Sequence, residues 1–242
     1  MCKTHANCAM RIAGFAKTSL VDWDGFVAST IYLPGCNFRC PACHNRDLVF
    51  IPEKLDEIPL SEIVKYLEDN ADFIDGVVIT GGEPTIQNGL ADFIMVFRDM
   101  NLKVKLDTNG SQPRILEDLI DDELLDFVAM DIKGPMNEKY DDVSGIEAPL
   151  DDIKKSISII MDSGIDYEFR TTVVPVFLDT RDIESIAAYI GGAKKYALQQ
   201  FQPKNTLDER FTVVRPYSSD RIREMAAVAK KYVRKVIIRG LI

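Results

Sequence analysis

The sequence predicts an α/β fold, a partial (β/α)6 barrel with parallel strands. Six short β-rich runs alternate with helical patterns along the 242 residues. This alternation is typical of a parallel sheet, because each crossover between parallel strands needs a helix. No internal repeat, low-complexity tract or Gly/Ser linker interrupts the pattern. A full eight-unit barrel typically needs about 250 residues, and since only six units are visible, we expect a smaller barrel that is closed or nearly closed.

The predicted elements follow one another in chain order. Runs rich in β-branched and aromatic residues indicate strands at 26–33, 76–80, 102–108, 127–132, 167–174 and 197–202. Apolar residues at helical spacing indicate helices at 60–70, 89–100, 113–123, 150–164, 180–193 and 219–233. A short apolar tail, residues 235–240, follows the last helix. We expect a single domain over residues 1–242, with residues 1–10 as a mobile N-terminal extension.

Composition limits the classes of function. A hydrophobic content of 46% and a charged content of 28% are those of an ordinary globular protein. The net charge of −9 argues against non-specific binding of nucleic acid. No run of 18 apolar residues is present that could span a membrane, and the N-terminal residues lack the continuous apolar core of a secretion signal. We therefore expect a cytoplasmic protein that contacts neither nucleic acid nor membrane.

Unusual polar residues follow the predicted strands at the ends where ligands bind in parallel α/β folds. Ligand sites in such folds gather at the carboxyl ends of the strands. The first strand runs into a cysteine loop, and the later strands carry or precede the segments TGGEP (80–84), DTNG (107–110), DIKG (131–134), Arg170 and QFQP (200–203). A single site at one rim of the barrel is the economical explanation.

The cysteine loop is the strongest chemical signal. Three of the five cysteines, Cys36, Cys40 and Cys43, have the spacing C-x3-C-x2-C. An odd, clustered number of cysteines does not read as a disulfide framework and indicates metal binding or redox chemistry. A zinc site could add His44 or His5 as a fourth ligand. An iron–sulfur cluster would instead keep one iron without a protein ligand.

With this loop and the GGEP segment after the second strand, the sequence resembles the radical S-adenosylmethionine (SAM) superfamily. The resemblance implies that Cys36, Cys40 and Cys43 hold a 4Fe-4S cluster. It also implies that the amino and carboxylate groups of SAM chelate the fourth iron, and that the protein is a radical SAM oxidoreductase.

The resemblance is closest to activating proteins of glycyl-radical enzymes. The segment from 14 to 45, together with KLDTNG, AMDIKGP, RTTVVP and LQQFQPKNTLD, resembles activators of the anaerobic ribonucleoside-triphosphate reductase. It is also similar to the activating enzyme of pyruvate formate-lyase. Such enzymes cleave SAM reductively and use the 5'-deoxyadenosyl radical to abstract hydrogen from a glycine Cα of a partner enzyme. The resemblance therefore implies a glycyl-radical enzyme as substrate and a flavodoxin- or ferredoxin-like electron donor.

Roles for the rim residues follow from the same resemblance. The Gly81-Gly82 pair would let backbone approach a ligand closely, Glu83 would pair with the SAM ammonium, and Lys133 would meet the SAM carboxylate. Arg170 alternates with apolar neighbours and needs an anionic partner, either the cofactor carboxylate or a rim aspartate. The residues expected to bind SAM are Ala42, His44, Gly81, Gly82, Glu83, Asp107, Asn109, Lys133, Arg170 and Gln202.

Two carboxylates that end adjacent strands repel each other unless a cation or proton lies between them. The resemblance to pyruvate formate-lyase activators implies a monovalent cation held by Asp107, Thr108, Met130 and Asp131. The alternative is that one aspartate caps a helix and the other forms an ion pair.

Two departures from the family pattern bear on the substrate. Ala42 stands where many members have an aromatic residue beside adenine, so the adenine needs another apolar wall. Gln200 and Gln202 stand where formate-lyase activators have a late histidine, which weighs against that partner. The N-terminal Cys2, His5 and Cys8 are three potential ligands of a second metal site. We expect instead that they have no special role.

Overall fold

The computed structural model describes residues 10–51 and 55–241. Within them the chain forms eight β-strands, all in one sheet. The strands are β1 (Gly14–Ser19), β2 (Ala28–Leu33), β3 (Gly76–Gly81), β4 (Lys103–Thr108), β5 (Phe127–Asp131), β6 (Asp166–Val173), β7 (Tyr196–Gln200) and β8 (Val236–Arg239). All six predicted strands are confirmed. Two were missed as strands: β1 lacks a β-branched run, and β8 was seen only as an apolar tail.

The strands lie in sequence order, from β1 to β8. β1 pairs antiparallel with β2, whereas β2 pairs parallel with β3, and β3 with β4. β6 and β7, and then β7 and β8, also pair parallel. The predicted fold class, an α/β partial barrel with a parallel sheet, is confirmed. In the part of the chain that the structure describes, β1 and β8 stand at opposite ends of the order, as in a partial barrel that is not closed.

Helices connect the parallel strands as expected. They are α1 (Arg46–Val49), α2 (Leu60–Asp69), α3 (Leu90–Asp99), α4 (Pro113–Asp121), α5 (Lys139–Ser144), α6 (Leu150–Asp162), α7 (Thr180–Tyr189) and α8 (Ser219–Ala229). The six predicted helices correspond to α2, α3, α4, α6, α7 and α8. The short α1 and α5 were not predicted, because a helix of one turn leaves no periodic pattern in the sequence. No helix among the described residues is both long enough and apolar enough to cross a membrane.

Contacts divide the described chain into two compact units. The first holds the residues up to Asn37 together with Leu48–Thr108 and Arg114–Val128, and the second holds Phe38–Asp47, Asn109–Pro113 and the residues from Ala129 onward. β5 is the strand in which the division falls. The expectation of a single domain therefore stays a prediction, and residues 1–9 lie outside the described part.

Each unit has its own apolar core. In the first, Val77 and Ile79 of β3 and Phe93 and Phe97 of α3 are fully buried. In the second, Phe169, Ile157, Ile186 and Leu198 are among the buried side chains. Burying one such side chain stabilises the fold by about 1.5–3 kcal/mol, so these residues fix the strands whose ends carry the polar segments.

Candidate active site

In the first unit the cysteine loop is hydrogen-bonded to the loop after β3. Leu33 pairs with Gly81 in the sheet, so both loops leave the same edge. The Glu83 N–H donates to the Gly35 carbonyl at 2.8 Å, and the Cys36 N–H donates to the Val49 carbonyl at 3.1 Å. The backbone around Cys36 is therefore held on two sides before the next two cysteines follow in the chain.

The Gly81-Gly82 pair allows this close backbone contact. A Cβ on Gly81 would collide with backbone atoms of Leu33, and one on Gly82 with the carbonyl oxygen of Gly35. Gly81 also has φ +126°, which side-chain-bearing residues rarely adopt. The sequence interpretation was that these glycines let backbone approach a ligand. In the structure, the backbone that approaches them is that of Leu33, at the end of β2, and of Gly35 in the cysteine loop.

Glu83 is buried, with 1% of its surface exposed. Its Oε1 accepts hydrogen bonds from the Thr85 N–H at 3.1 Å, the Thr85 hydroxyl at 2.5 Å and the Thr108 hydroxyl at 2.8 Å. It thereby caps the 3-10 helix Pro84–Ile86 and links the ends of β3 and β4. A carboxylate held by several donors is a rigid acceptor, suited to orienting a cation.

The second unit contains Cys40 and Cys43. The Cys43 N–H donates to the Cys40 carbonyl at 3.0 Å, which closes a tight turn. A later segment holds that turn, because the Leu207 N–H donates to the Cys43 carbonyl at 3.1 Å and the Asp208 N–H to the Pro41 carbonyl at 3.0 Å. Ala42, inside the turn, packs against a cluster formed by Val174, Phe201 and Phe211.

The three loop cysteines are partly exposed thiols outside any disulfide. Burial raises the pKa of Cys43, while the Lys133 ammonium nearby lowers it. No three His, Cys, Asp or Glu side chains in the described ranges converge on a single ion. A cluster of four irons spreads its ligands further than one ion does. Three unbridged cysteines within eight residues fit such a cluster in donor type and number.

An ion-pair network forms at the end of β5. Arg170 Nε lies 2.7 Å from Asp131 Oδ1, and Lys133 Nζ lies 2.9 Å from Asp131 Oδ2. Burial alone would raise the pKa of Asp131, but Arg170 and Lys133 outweigh it and hold that pKa well below its usual range. Burial alone would lower the pKa of Lys133, but Asp131 and Cys40 raise it. Both side chains are therefore charged at neutral pH, and the anionic partner expected for Arg170 is a rim aspartate.

Asp107 belongs to the first unit and has partners of its own. Its Oδ1 lies 3.4 Å from Lys105 Nζ, and its Oδ2 accepts from the Thr80 hydroxyl at 3.4 Å. The Lys105 ammonium also donates to the Asp22 carbonyl. The sequence analysis did not predict a role for Lys105, which is buried. The one signal for it was its position two residues before Asp107 in β4, which places both side chains on the same face of the strand. Each aspartate predicted to share a cation thus has a side-chain cation beside it.

The remaining predicted residues lie in the second unit. His44 Nε2 is 2.6 Å from the Gln202 carbonyl oxygen, and the His44 ring stacks on Phe201 with centroids 5.8 Å apart. Asn109 accepts from the Ser111 N–H at 2.9 Å. The Gln200 amide donates to the Tyr217 carbonyl at 2.6 Å. Gln200 and Gln202 were compared above with a histidine of the formate-lyase activators. The side chain of Gln200 is hydrogen-bonded to the backbone of this chain.

Comparison with known proteins decides the family. The profile described as the Radical SAM superfamily matches residues 30–190. The chain belongs to the radical SAM superfamily.

Two curated relatives extend this radical SAM assignment. A Methanocaldococcus jannaschii protein, named as a candidate glycyl-radical enzyme activating enzyme, is 35% identical over 235 residues, which cover 95% of this chain and 96% of that protein. The pyruvate formate-lyase-activating enzyme of Clostridium pasteurianum is 26% identical over 204 residues, 81% of this chain and 83% of its own. The chain is therefore a radical SAM enzyme whose relatives include glycyl-radical enzyme activating enzymes.

A solved structure supports the radical SAM fold independently. Streptococcus suis SuiB, in its crystal structure bound to S-adenosylmethionine, superimposes with a TM-score of 0.65 at 13% identity. The match covers 87% of this chain and 52% of SuiB. The chain thus spans about half the length of that protein, and the likeness concerns the fold alone.

A cleft of about 430 Å³ opens in the second unit of this radical SAM chain. Its lining is mostly apolar, with Asp142, Asp208 and Arg210 as the polar members, and comprises Pro41, Asp142, Val176, Phe177, Asp208, Arg210, Phe211 and Val214. Val176 is 61% exposed, which is high for an apolar residue. One wall therefore belongs to the cysteine turn and another to the segment that is hydrogen-bonded to it.

Proposed function

We propose that this protein reductively cleaves SAM and abstracts a hydrogen from a glycine of the anaerobic ribonucleoside-triphosphate reductase, which leaves a glycyl radical on that partner. The observation that carries the proposal is the 35% identity to a relative named as a candidate glycyl-radical enzyme activating enzyme, over nearly the whole of both chains.

Cys36, Cys40 and Cys43 hold the 4Fe-4S cluster in this proposal. When bound, the cluster supplies the electron that splits SAM, and the fragment so formed removes the hydrogen from glycine. The backbone bonds at Gly35 and Cys36, and the Cys40–Cys43 turn, restrict the loop. The protein therefore supplies ligands in a fixed conformation, and no acid–base group has to transfer a proton.

Lys133 and Glu83 bind the two charged groups of the methionine part of SAM. The Lys133 ammonium donates to Asp131, and because an ammonium has three donors it can also bind a ligand carboxylate. Glu83 is fixed by threonine donors on Oε1. Arg170 and Lys133 carry two positive charges against the one negative charge of Asp131, so the net charge of the group favours a further carboxylate. Ala42, His44, Asn109 and Gln202 remain candidates for the adenosine part.

A monovalent cation at Asp107, Thr108, Met130 and Asp131 stays a prediction. Lys105 lies beside Asp107, and Arg170 and Lys133 lie beside Asp131. These side chains already provide the positive charge that would otherwise make a bound cation necessary. SAM binding that does not depend on potassium or sodium is therefore the expected result.

The protein partner meets the second unit at the cleft beside the cysteine turn. Asp208 of the cleft wall is paired with Arg210 at 2.6 Å. Asp142 is exposed, and no ion pair of Asp142 occurs in the described part of the chain. The complementary occupant is a peptide segment of the glycyl-radical enzyme with an apolar side chain and a neighbouring basic residue. The hydrogen bonds from Leu207 and Asp208 would transmit its docking to the cysteine turn.

Pyruvate formate-lyase is the second candidate partner, favoured by the 26% identity to its activating enzyme in Clostridium pasteurianum. Gln200 and Gln202, where those activators have a late histidine, weigh against the formate-lyase. A flavodoxin- or ferredoxin-like protein as electron donor, and a cytoplasmic location, are parts of the same proposal.

The decisive experiment is anaerobic incubation of the reconstituted protein with SAM, a reductant and each candidate partner in turn. We expect a doublet glycyl radical in the electron paramagnetic resonance spectrum with the reductase and none with the formate-lyase. A doublet only with the formate-lyase would replace the partner and keep the reaction. Rapid SAM cleavage driven by a small molecule, or stoichiometric zinc in place of iron, would overturn the proposal.

A further inference from the structure

A segment that the sequence analysis passed over lies between β5 and α6. Residues 134–145, which contain α5, make three anchoring contacts within the second unit. The Tyr140 hydroxyl accepts the backbone N–H of Lys133 at 3.1 Å. The Ser144 carbonyl accepts the Arg39 N–H at 2.9 Å. Lys139 Nζ bonds Asp182 Oδ2 of α7 at 2.6 Å.

The contact with Arg39 is a close one. Gly145 has φ +69°, and a Cβ there would collide with the Arg39 carbonyl oxygen. Arg39 immediately precedes Cys40 in the chain. The segment therefore touches the backbone of the cysteine loop at one end and the backbone of Lys133 at the other.

Tyr140 is the part of this segment that ordinary packing does not account for. Its side chain is fully buried, and its hydroxyl lies where the backbone of β5 has just ended. This bond is partly buried, and an N–H that loses its acceptor there is costly, so the hydroxyl fixes the backbone of Lys133. Phenylalanine would fill the same volume but could not accept this bond.

We propose that Tyr140 is a positioning residue for SAM, which acts by holding the Lys133 backbone so that the ammonium of Lys133 meets the carboxylate of the cofactor. The proposal rests on the proposed function for the role of Lys133. Through Ser144 and Gly145 the same segment also holds the backbone of Arg39, which precedes Cys40. The segment therefore fixes the position of Lys133 relative to the cysteine turn.

The test compares two tyrosines in the same unit. Tyr140→Phe removes the acceptor for Lys133, whereas Tyr196→Phe removes an equally buried hydroxyl that donates to Thr171 at 2.8 Å. In the full-length reconstituted protein, amide hydrogen exchange at Lys133 should speed up about tenfold in Y140F, the effect of one lost hydrogen bond. Y196F should leave that amide unchanged. Equal exchange at Lys133 in wild type and Y140F overturns the proposal.

SAM affinity gives the second readout. Y140F should weaken SAM binding by about three- to tenfold, and Y196F should not. In a Lys133→Ala background, Y140F should cause no further loss, because Tyr140 acts through Lys133. Equal affinities of Y140F and Y196F, or a full additional loss in the double variant, would show that Tyr140 is only a core residue.

Iron content and SAM binding by the wild-type protein give two further outcomes. Loss of iron from Y140F but not from Y196F would contradict the proposal, because the weaker SAM binding would then follow from the lost cluster rather than from Lys133. A wild-type protein that holds the cluster but binds no SAM would overturn the proposed function. The exchange measurement would still decide whether Tyr140 holds the Lys133 backbone.

Discussion

Arg170 Nε lies 2.7 Å from Asp131 Oδ1, and the other oxygen of the same carboxylate is taken by Lys133. One anion thus serves two cations at the end of β5. The arginine side chain is 12% exposed and the aspartate side chain 30%, so the network is partly buried. Its net positive charge suits it to receive a carboxylate.

Removing the anion should destabilise the fold. We expect Asp131→Asn to lower the free energy of unfolding by about 2–3 kcal/mol at neutral pH, because two partly buried cations lose their partner. Urea unfolding of the metal-free chain measures this. Asp151→Asn is the matched control, since that aspartate is 92% exposed in its pair with Lys154, and it should cost less than about 0.5 kcal/mol. Equal losses in the two variants would contradict the network.

The same network has a defined pH dependence. The folded pKa of Asp131 is lowered, so its stabilisation is fully present above the unfolded value of about 4 and is lost as the pH falls below it. The difference in unfolding free energy between wild type and Asp131→Asn should therefore shrink below about pH 4. A difference that stays constant down to about pH 3 would mean that Asp131 is not charged in the folded state.

The three cysteines of the loop should be required for the cluster. Replacing Cys36, Cys40 or Cys43 with alanine should abolish the reduced-cluster signal and SAM cleavage, because each thiolate would hold one iron of the proposed cluster. Cys2→Ala and Cys8→Ala are controls that should retain both. Iron and sulfide analysis after anaerobic reconstitution is the measurement. A variant of a loop cysteine that keeps a full cluster would remove that residue from the ligand set.

Gly82 should act on the cysteine loop rather than on the cofactor directly. In Gly82→Ala the new Cβ meets the Gly35 carbonyl, so the loop must move and the iron content should fall. Gly191→Ala is the control, since its Cβ would come no closer than 3.1 Å to the nearest atom. Full iron content combined with lost SAM binding in Gly82→Ala would restore the interpretation from the sequence, in which the glycine faces the ligand.

Glu83 should bind SAM in addition to linking two strands. Glu83→Gln should weaken SAM binding about tenfold or more by loss of a charge-assisted bond. Thr108→Val is the control, because it removes one hydrogen bond within the protein to the Glu83 carboxylate but leaves the carboxylate itself in place. We expect it to lower stability by about 1 kcal/mol with a much smaller effect on SAM affinity. If the two variants bind SAM equally, Glu83 is a cap of the 3-10 helix and no more.

The cleft of the second unit should bind the protein partner. Val176→Asp places a charge on its apolar lining, so the KM for the glycyl-radical enzyme should rise about tenfold while SAM affinity is kept. Val21→Asp changes a valine of the first unit that is 79% exposed, and should not alter that KM. The yield of the glycyl doublet, measured against the concentration of the partner enzyme, gives the KM of each variant. Equal KM values would place docking elsewhere.

The sequence by itself determined the fold class, the family and the chemistry to expect. Alternating strand and helix patterns are local features, and each predicted strand and helix recurs in the structure. The spacing of Cys36, Cys40 and Cys43 is also local, because ligands on one short loop need no distant contact to be recognised. The missed elements are those with too few residues for a period, namely α1, α5 and β8, or without β-branched runs, namely β1.

Only the tertiary structure decided which partner each polar side chain has. Asp107 and Asp131 looked alike in the sequence, yet one lies beside Lys105 and the other pairs with Arg170 and Lys133. Tyr140 gave no signal, because its bond reaches the backbone of Lys133 through a turn that no pattern predicts. Hydrogen bonds depend on distances of a few tenths of an ångström, and such distances are set by packing among residues far apart in the chain.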